Sequence, residues 1–142
     1  MIEKIIKKFI PNIFLKYREK NTVKKMREKF SKMKKNQIFR EIYLKKLWSP
    51  ESVKFKHKFY SGIGSYLPEL VDNYILEIKT FLLSLPKKPD VVDLGCGDFV
   101  IGSKLRKFCN KYIAVDIFDE LINYNKKKYQ DLNVDFRILD IT

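Results

Sequence analysis

Short apolar runs alternate with helical apolar stripes along the second half of the chain. The runs are four to six residues long and rich in β-branched and aromatic side chains, which is typical of buried parallel strands. In the intervening segments apolar residues recur every three or four positions, the spacing of an amphipathic helix. The pattern predicts strands at 91–95, 112–116 and 134–139 and helices at 66–85, 98–108 and 119–129.

The first half of the chain carries only helical spacing. From Ile2 to Tyr17 apolar residues recur on one face with lysines between them, and Pro11 is expected to kink or divide this segment. Asn21 or Thr22 is expected to cap a second helix that continues to about Lys46. We therefore expect an all-helical region before an α/β sheet. Right-handed crossovers would place the three parallel strands in the order 3-2-1.

Charge divides the chain in a similar place. Residues 1–58 hold 19 of the 30 Lys and Arg and 5 of the 17 Asp and Glu, so the net charge of +13 lies at the front. We expect a basic helical arm or lid region at 1–58 and a nearly neutral sheet domain at 59–142. The basic front is explained either by solvated helices or by an anionic partner such as membrane, nucleic acid or phosphorylated substrate.

Several functional classes find no support in the sequence. No apolar run is long enough to cross a membrane, and the N-terminus lacks the features of a secretory signal. Two cysteines without motif spacing indicate a reducing compartment, so we expect a cytoplasmic protein. One histidine and two cysteines predict no metal site.

The candidate chemistry lies where the strands end. Gly95 and Gly97 follow the first predicted strand directly and precede a helix, whose free N–H groups favour polar ligands. Asp93, Asp116 and Asp140 each lie at or just beyond a strand's carboxyl end. An acid about 20 residues beyond a glycine turn commonly binds ribose hydroxyls. The spacing therefore predicts a nucleoside site.

At these residues the chain resembles class I S-adenosylmethionine-dependent methyltransferases, which have a Rossmann-like sheet. Their signature places G-x-G-x-G after an acidic strand end, and here Phe99 stands at the third glycine. The resemblance implies S-adenosyl-L-methionine as cofactor and no metal, and it assigns no catalytic residue in this chain. It implies Asp93, Gly95 and Gly97 around the methionine part, Asp116 on the ribose, Ile117 against the adenine and Asp140 at the adenine amino group.

Further motifs resemble a bacterial group that methylates sugars of capsules or lipopolysaccharide. These are W-x-x-E-S from Trp48, S-G-x-G-S from Ser61 and D-L-G-C-G-D-F from Asp93. The resemblance implies a small-molecule or glycan acceptor in surface polysaccharide biosynthesis. Because the resembled sheet has seven strands, we expect this chain to be a truncated, N-terminal part with a partial sheet. The candidate lid over the methionine end comprises Ser61, Gly62, Gly64 and Ser65.

Two other functions stay open. The first is an RNA or protein methyltransferase whose basic arm holds the substrate, since aromatic and basic residues interleave over 55–60. The second is a non-catalytic membrane- or partner-binding module with a vestigial half-sheet. Residues 1–17 are expected to contact anionic membrane peripherally, at the inner face, and nucleic acid is the less favoured partner. We expect Asp116→Ala to weaken cofactor binding more than Asp98→Ala.

Overall fold

The computed structural model describes residues 11–48 and 57–141. The chain divides into two compact units, Met1–Lys34 and Lys35–Thr142. Within the described ranges, single-turn 3-10 helices at Ile63–Ser65, Arg106–Phe108 and Gln130–Leu132 accompany the main elements. Those elements are α1 (Pro11–Phe30), α2 (Lys35–Leu44), α3 (Pro68–Ser84), β1 (Val91–Leu94), α4 (Val100–Leu105), β2 (Tyr112–Asp116), α5 (Asp119–Lys128) and β3 (Asp135–Ile138).

The three strands form one open parallel sheet. Their order is β1-β2-β3, so the expected strand order and direction are confirmed. Asp93 of β1 lies beside Ala114 of β2, which lies beside Phe136 of β3. Since all three strands run in the same direction, their carboxyl ends meet at one edge, where the predicted acids are placed.

The single helix expected from Asn21 or Thr22 to Lys46 is wrong. Both residues lie inside α1, which begins at Pro11 and ends at Phe30. Proline is tolerated at the first helical position because its missing N–H has no helical partner there. Beyond α1, the Ser31 hydroxyl donates a hydrogen bond to the Glu28 carbonyl and satisfies one terminal acceptor. The chain then turns and starts α2 in the second unit.

The expected membrane-binding arm, residues 1–17, lies largely outside the described residues, which start at residue 11. From Asn21 onward, the side chains of α1 are mostly exposed, with Val23 at 48%. None of the helices in the described ranges combines the length and apolar character needed to span a membrane.

Two apolar clusters hold the second unit together. The larger covers one face of the sheet, and the smaller joins α2 to the start of α5. Because Tyr43 of α2 stacks on Phe118 at 5.6 Å, α2 belongs with the sheet, whereas the charge pattern suggested a boundary at 58/59. The buried members are Leu82, Phe99, Cys109, Tyr112, Ala114, Ile122 and Phe136 in the larger cluster and Tyr43, Phe59, Phe118 and Leu121 in the smaller.

The other face of the sheet is open at β1. Successive side chains of a strand point to opposite faces, and Val91 packs on the larger cluster while Val92 and Leu94 are 57% and 60% exposed. β1 is also an edge strand of this sheet, whereas β2 lies between two neighbours.

Candidate ligand-binding site

A cavity of about 400 Å³ opens at the carboxyl edge of the sheet, a size usual for small-molecule sites. It brings together the predicted cofactor residues and part of the candidate lid. Two glycines of the lid segment, Gly62 and Gly64, do not line it in the described structure. The predicted residues that line it are Asp93, Gly95, Gly97, Asp116, Ile117, Asp140, Ser61 and Ser65.

The two glycines of the turn have different surroundings. Gly95 has φ +80°, and a Cβ added there would meet nothing within 4 Å. Gly97 has φ +56°, but its added Cβ would lie 2.2 Å from the Ser61 hydroxyl oxygen. Gly95 is therefore the position where a ligand can approach bare backbone, while glycine at 97 is needed because Ser61 packs against it.

Asp116 holds the turn together while it faces the cavity. Its Oδ2 accepts the Gly97 N–H at 3.1 Å and its Oδ1 accepts the Phe118 N–H at 3.1 Å. Burial raises the pKa of Asp116, and these backbone donors oppose the shift. The Ile117 N–H is a third backbone donor to this carboxylate, whose roughly four lone-pair sites leave part of its acceptor capacity for a ligand hydroxyl.

A buried tyrosine orients Asp93 through a hydrogen bond. Tyr112 donates its hydroxyl proton to Asp93 Oδ2 at 3.1 Å. Burial raises the pKa of Asp93, and the Tyr112 hydrogen bond opposes the shift. Burial likewise raises the pKa of Tyr112, with the neighbouring Asp93 charge adding to it. Tyr112 therefore stays a proton donor at neutral pH and keeps the Asp93 carboxyl group in place.

The raised pKa of Asp93 predicts a pH dependence of stability. The folded state holds this proton more tightly than the unfolded state, so the free energy of unfolding falls as pH rises from about 4 through the raised value. In Asp93→Asn the amide oxygen still accepts from Tyr112, and no charge is buried. We expect this variant to be more stable than wild type at pH 7. Urea denaturation at a series of pH values should show that its free energy of unfolding declines less steeply with rising pH. Asp131→Asn, at an exposed position, is the control; curves for Asp93→Asn parallel to wild type would contradict the prediction.

Phe99, which stands at the third signature glycine, adopts a glycine-like backbone. Its φ is +61°, in the left-handed region that few side chains occupy. The side chain is 1% exposed and packs edge-on against Tyr112, Tyr129 and Phe136 at 4.9–5.5 Å between ring centres. Burial of a large aromatic ring offsets the backbone cost. The departure from the signature is therefore a core contact at the end of the turn.

The sequence reasoning missed two residues that support the site. Asn125 of α5 is fully buried and donates its Nδ2 proton to the Gly97 carbonyl at 2.7 Å. Its position on the apolar stripe beside Leu121 and Ile122 was an available signal. Tyr43 of α2 lines the cavity and is 4% exposed. No local pattern connects it with the turn, since the contact depends on how α2 folds back.

Asp98, which directly follows Gly97, is itself buried and hydrogen-bonded. Only 3% of it is exposed, and its carboxyl group accepts hydrogen bonds from the Ser61 N–H and the Tyr66 hydroxyl. Asp98→Ala would therefore remove buried contacts of its own. For this reason it is unsuitable as the neutral comparison for Asp116→Ala.

A second part of the cavity lining comes from α2 and from Trp48 beyond it. Lys35, Phe39 and Trp48 line this side of the cavity. The Trp48 ring meets Phe39 edge-on at 6.2 Å and remains 42% exposed. The cavity thus has one wall of acids and open backbone and another that is aromatic with one cation.

Other reactive groups in the described residues do not form a centre. No group of three or more His, Cys, Asp or Glu side chains there is arranged to hold a metal ion. Cys96 lines the cavity, but burial raises the pKa of its thiol and keeps it protonated. The chemistry of the site therefore lies in its carboxyl groups and backbone.

Comparison with known proteins adds nothing to this geometry. No protein-family model matches the chain, and no curated protein matches it.

Proposed function

We propose that this chain forms the cofactor-binding part of an S-adenosylmethionine-dependent methyltransferase with a Rossmann-like sheet. One observation carries the proposal. Asp93, Asp116 and Asp140 lie at or near the carboxyl ends of three adjacent parallel strands and line one cavity around the open glycine at Gly95. An adenine nucleoside with a charged amino-acid tail presents hydroxyls, an amino group and an ammonium group. All of these can donate hydrogen bonds, and carboxylate oxygens accept them.

Each side chain has a role that agrees with its surroundings. Gly95 admits the ligand to the backbone, and Asp93, held by Tyr112, faces the methionine part. Asp116 takes the ribose hydroxyls with its remaining lone pairs. Ile117 packs against the adenine, and Asp140 accepts from its amino group.

In this proposal the cofactor supplies an electrophilic methyl group when bound. The chain's own residues bind it, orient it and exclude water, because in-line methyl transfer depends chiefly on alignment of the reacting atoms. The acceptor lies against the wall formed by Lys35, Phe39 and Trp48. A sugar suits this wall, since the C–H face of a sugar ring packs well on an exposed aromatic ring. This wall supports a sugar as acceptor, and the motif resemblance at Trp48, Ser61 and Asp93 extends the proposal to a glycan of surface polysaccharide biosynthesis.

The structure describes the stretch 55–60 from residue 57 onward, and the aromatic residues there offer little to the RNA alternative. Within that stretch, Phe59 and Tyr60 are 3% and 4% exposed and pack in the interior. A stacking platform for single-stranded bases needs exposed rings. This observation favours a small acceptor in the cavity over RNA bound through these residues.

A binding titration tests the proposal directly. S-adenosylmethionine and S-adenosylhomocysteine are expected to bind with dissociation constants between about 1 µM and 1 mM, the usual range for enzyme substrates. Trp48 is the single tryptophan of the chain and lines the cavity, so its fluorescence should change in step with the calorimetric heat. NAD is the control nucleotide and should produce neither signal. Absence of heat and of fluorescence change with both S-adenosyl compounds would refute the proposal.

A further inference from the structure

One carboxyl group fastens both ends of the segment 61–66 to the glycine turn. Asp98 Oδ2 accepts the Ser61 N–H at 3.2 Å and also the Tyr66 hydroxyl proton. In return the Asp98 N–H donates to the Ser61 Oγ at 2.8 Å. Asp98 directly follows Gly97, so the segment and the turn are joined through a closed set of three hydrogen bonds.

Side-chain packing at both ends of the segment 61–66 supports its contact with the glycine turn. A Cβ on Gly97 would overlap the Ser61 hydroxyl, so the Ser61 side chain lies against the Gly97 backbone at a distance that only glycine allows. At the other end the Tyr66 ring stacks on Tyr60 at 4.5 Å, and Tyr60 is 4% exposed. The 3-10 turn Ile63–Ser65 is therefore held between two anchored residues.

We propose that Asp98 is a positioning residue, which holds the segment 61–66 as a fixed wall of the ligand cavity. Asp98 itself borders the cavity, but only 3% of it is exposed, so a ligand can reach little of it directly. Its influence on binding is exerted through Ser61 and Ser65, which line the cavity. A wall that is already ordered lowers the entropic cost of binding, so ligand affinity depends on this carboxyl group.

Hydrogen exchange tests the junction without any ligand. Asp98→Ala removes the acceptor of both donors, Tyr66→Phe removes one donor, and Asp98→Asn keeps an oxygen acceptor. We expect amides of residues 62–66 to exchange about tenfold faster in the first two variants, because each loses a buried hydrogen bond, and to recover in Asp98→Asn. Amides of β2 should be unchanged in all of them. If Asp98→Ala does not fold, Tyr66→Phe decides, and unchanged exchange in the segment overturns the proposal.

The ligand measurement, which rests on the proposed function, uses S-adenosylhomocysteine and the same variants. Asp98→Ala and Tyr66→Phe are expected to lose about tenfold in affinity, with recovery in Asp98→Asn. Tyr124→Phe is the matched control, because Tyr124 packs on Phe59 and does not line the cavity.

The outcomes separate the two proposals. If wild type does not bind the nucleoside, the proposed function fails, and hydrogen exchange still decides whether Asp98 orders the segment. If the segment exchanges faster while affinity is unchanged, the segment is no wall of the binding site and the positioning role is refuted. Failure of Asp98→Asn to restore both properties refutes it as well.

Discussion

Asp116→Ala is expected to weaken binding of S-adenosylhomocysteine by about 100-fold, because two hydrogen bonds from the ribose hydroxyls to a carboxylate are lost. Asp116 lines the cavity, and its backbone donors leave part of its acceptor capacity for a ligand. Isothermal titration measures the loss. Asp131→Ala is the matched control, since Asp131 is an exposed aspartate outside the cavity, and it should bind as wild type does.

A change in the turn itself must be separated from loss of the ribose contact. Asp116 also accepts the Gly97 and Phe118 N–H groups, so its removal loosens the loop. An S-adenosylhomocysteine analogue without the two ribose hydroxyls makes the distinction. Wild type should discriminate against it strongly, and Asp116→Ala should bind both compounds equally. If the variant discriminates as well as wild type, Asp116 acts only through the turn.

Gly102→Ala is expected to destabilise the second unit by about 2 kcal/mol, although alanine is the better helix former. An added Cβ at Gly102 would lie 2.2 Å from one Phe99 ring atom and 2.6 Å from the next. Phe99 cannot move aside easily because three other aromatic rings surround it. Chemical denaturation measures the change in the free energy of unfolding.

The chain offers a glycine control for this experiment. An added Cβ at Gly64 would meet nothing within 4 Å, so Gly64→Ala should change stability by less than about 1 kcal/mol. In a Phe99→Leu background, the smaller side chain leaves room and the cost of Gly102→Ala should shrink. An equal cost in both backgrounds would show that the overlap with the Phe99 ring is not its cause.

Ionising two aspartates of the proposed site lowers the stability of the folded protein. Asp93 and Asp116 are carboxyl groups whose pKa values burial raises, so their ionised forms are costly in the folded protein. Both line the cavity, where donors from a ligand would stabilise the ionised forms. Binding is therefore expected to raise the free energy of unfolding more at neutral pH than near pH 4.

The spacing of apolar residues was sufficient to predict an element wherever that element depends mainly on residues close to it in sequence. The β-branched runs and the intervening helical spacing predicted all three strands to within about one residue at each end, together with their order. The same pattern placed the acids at strand ends, because a parallel sheet aligns the carboxyl ends of its strands at one edge. It misplaced the start of α1 and the break before α2, since solvated charged helices have weak end signals.

The sequence by itself determined the parallel three-stranded sheet, the glycine turn and the gathering of Asp93, Asp116 and Asp140 at one edge. Tertiary structure decided what surrounds them. Only the folded chain shows that Ser61 rather than a ligand occupies the space beside Gly97 and that Asp98 faces Tyr66. Residues 32 or more positions apart make these contacts, and no local periodicity encodes them, because they depend on how preceding segments pack back on the sheet.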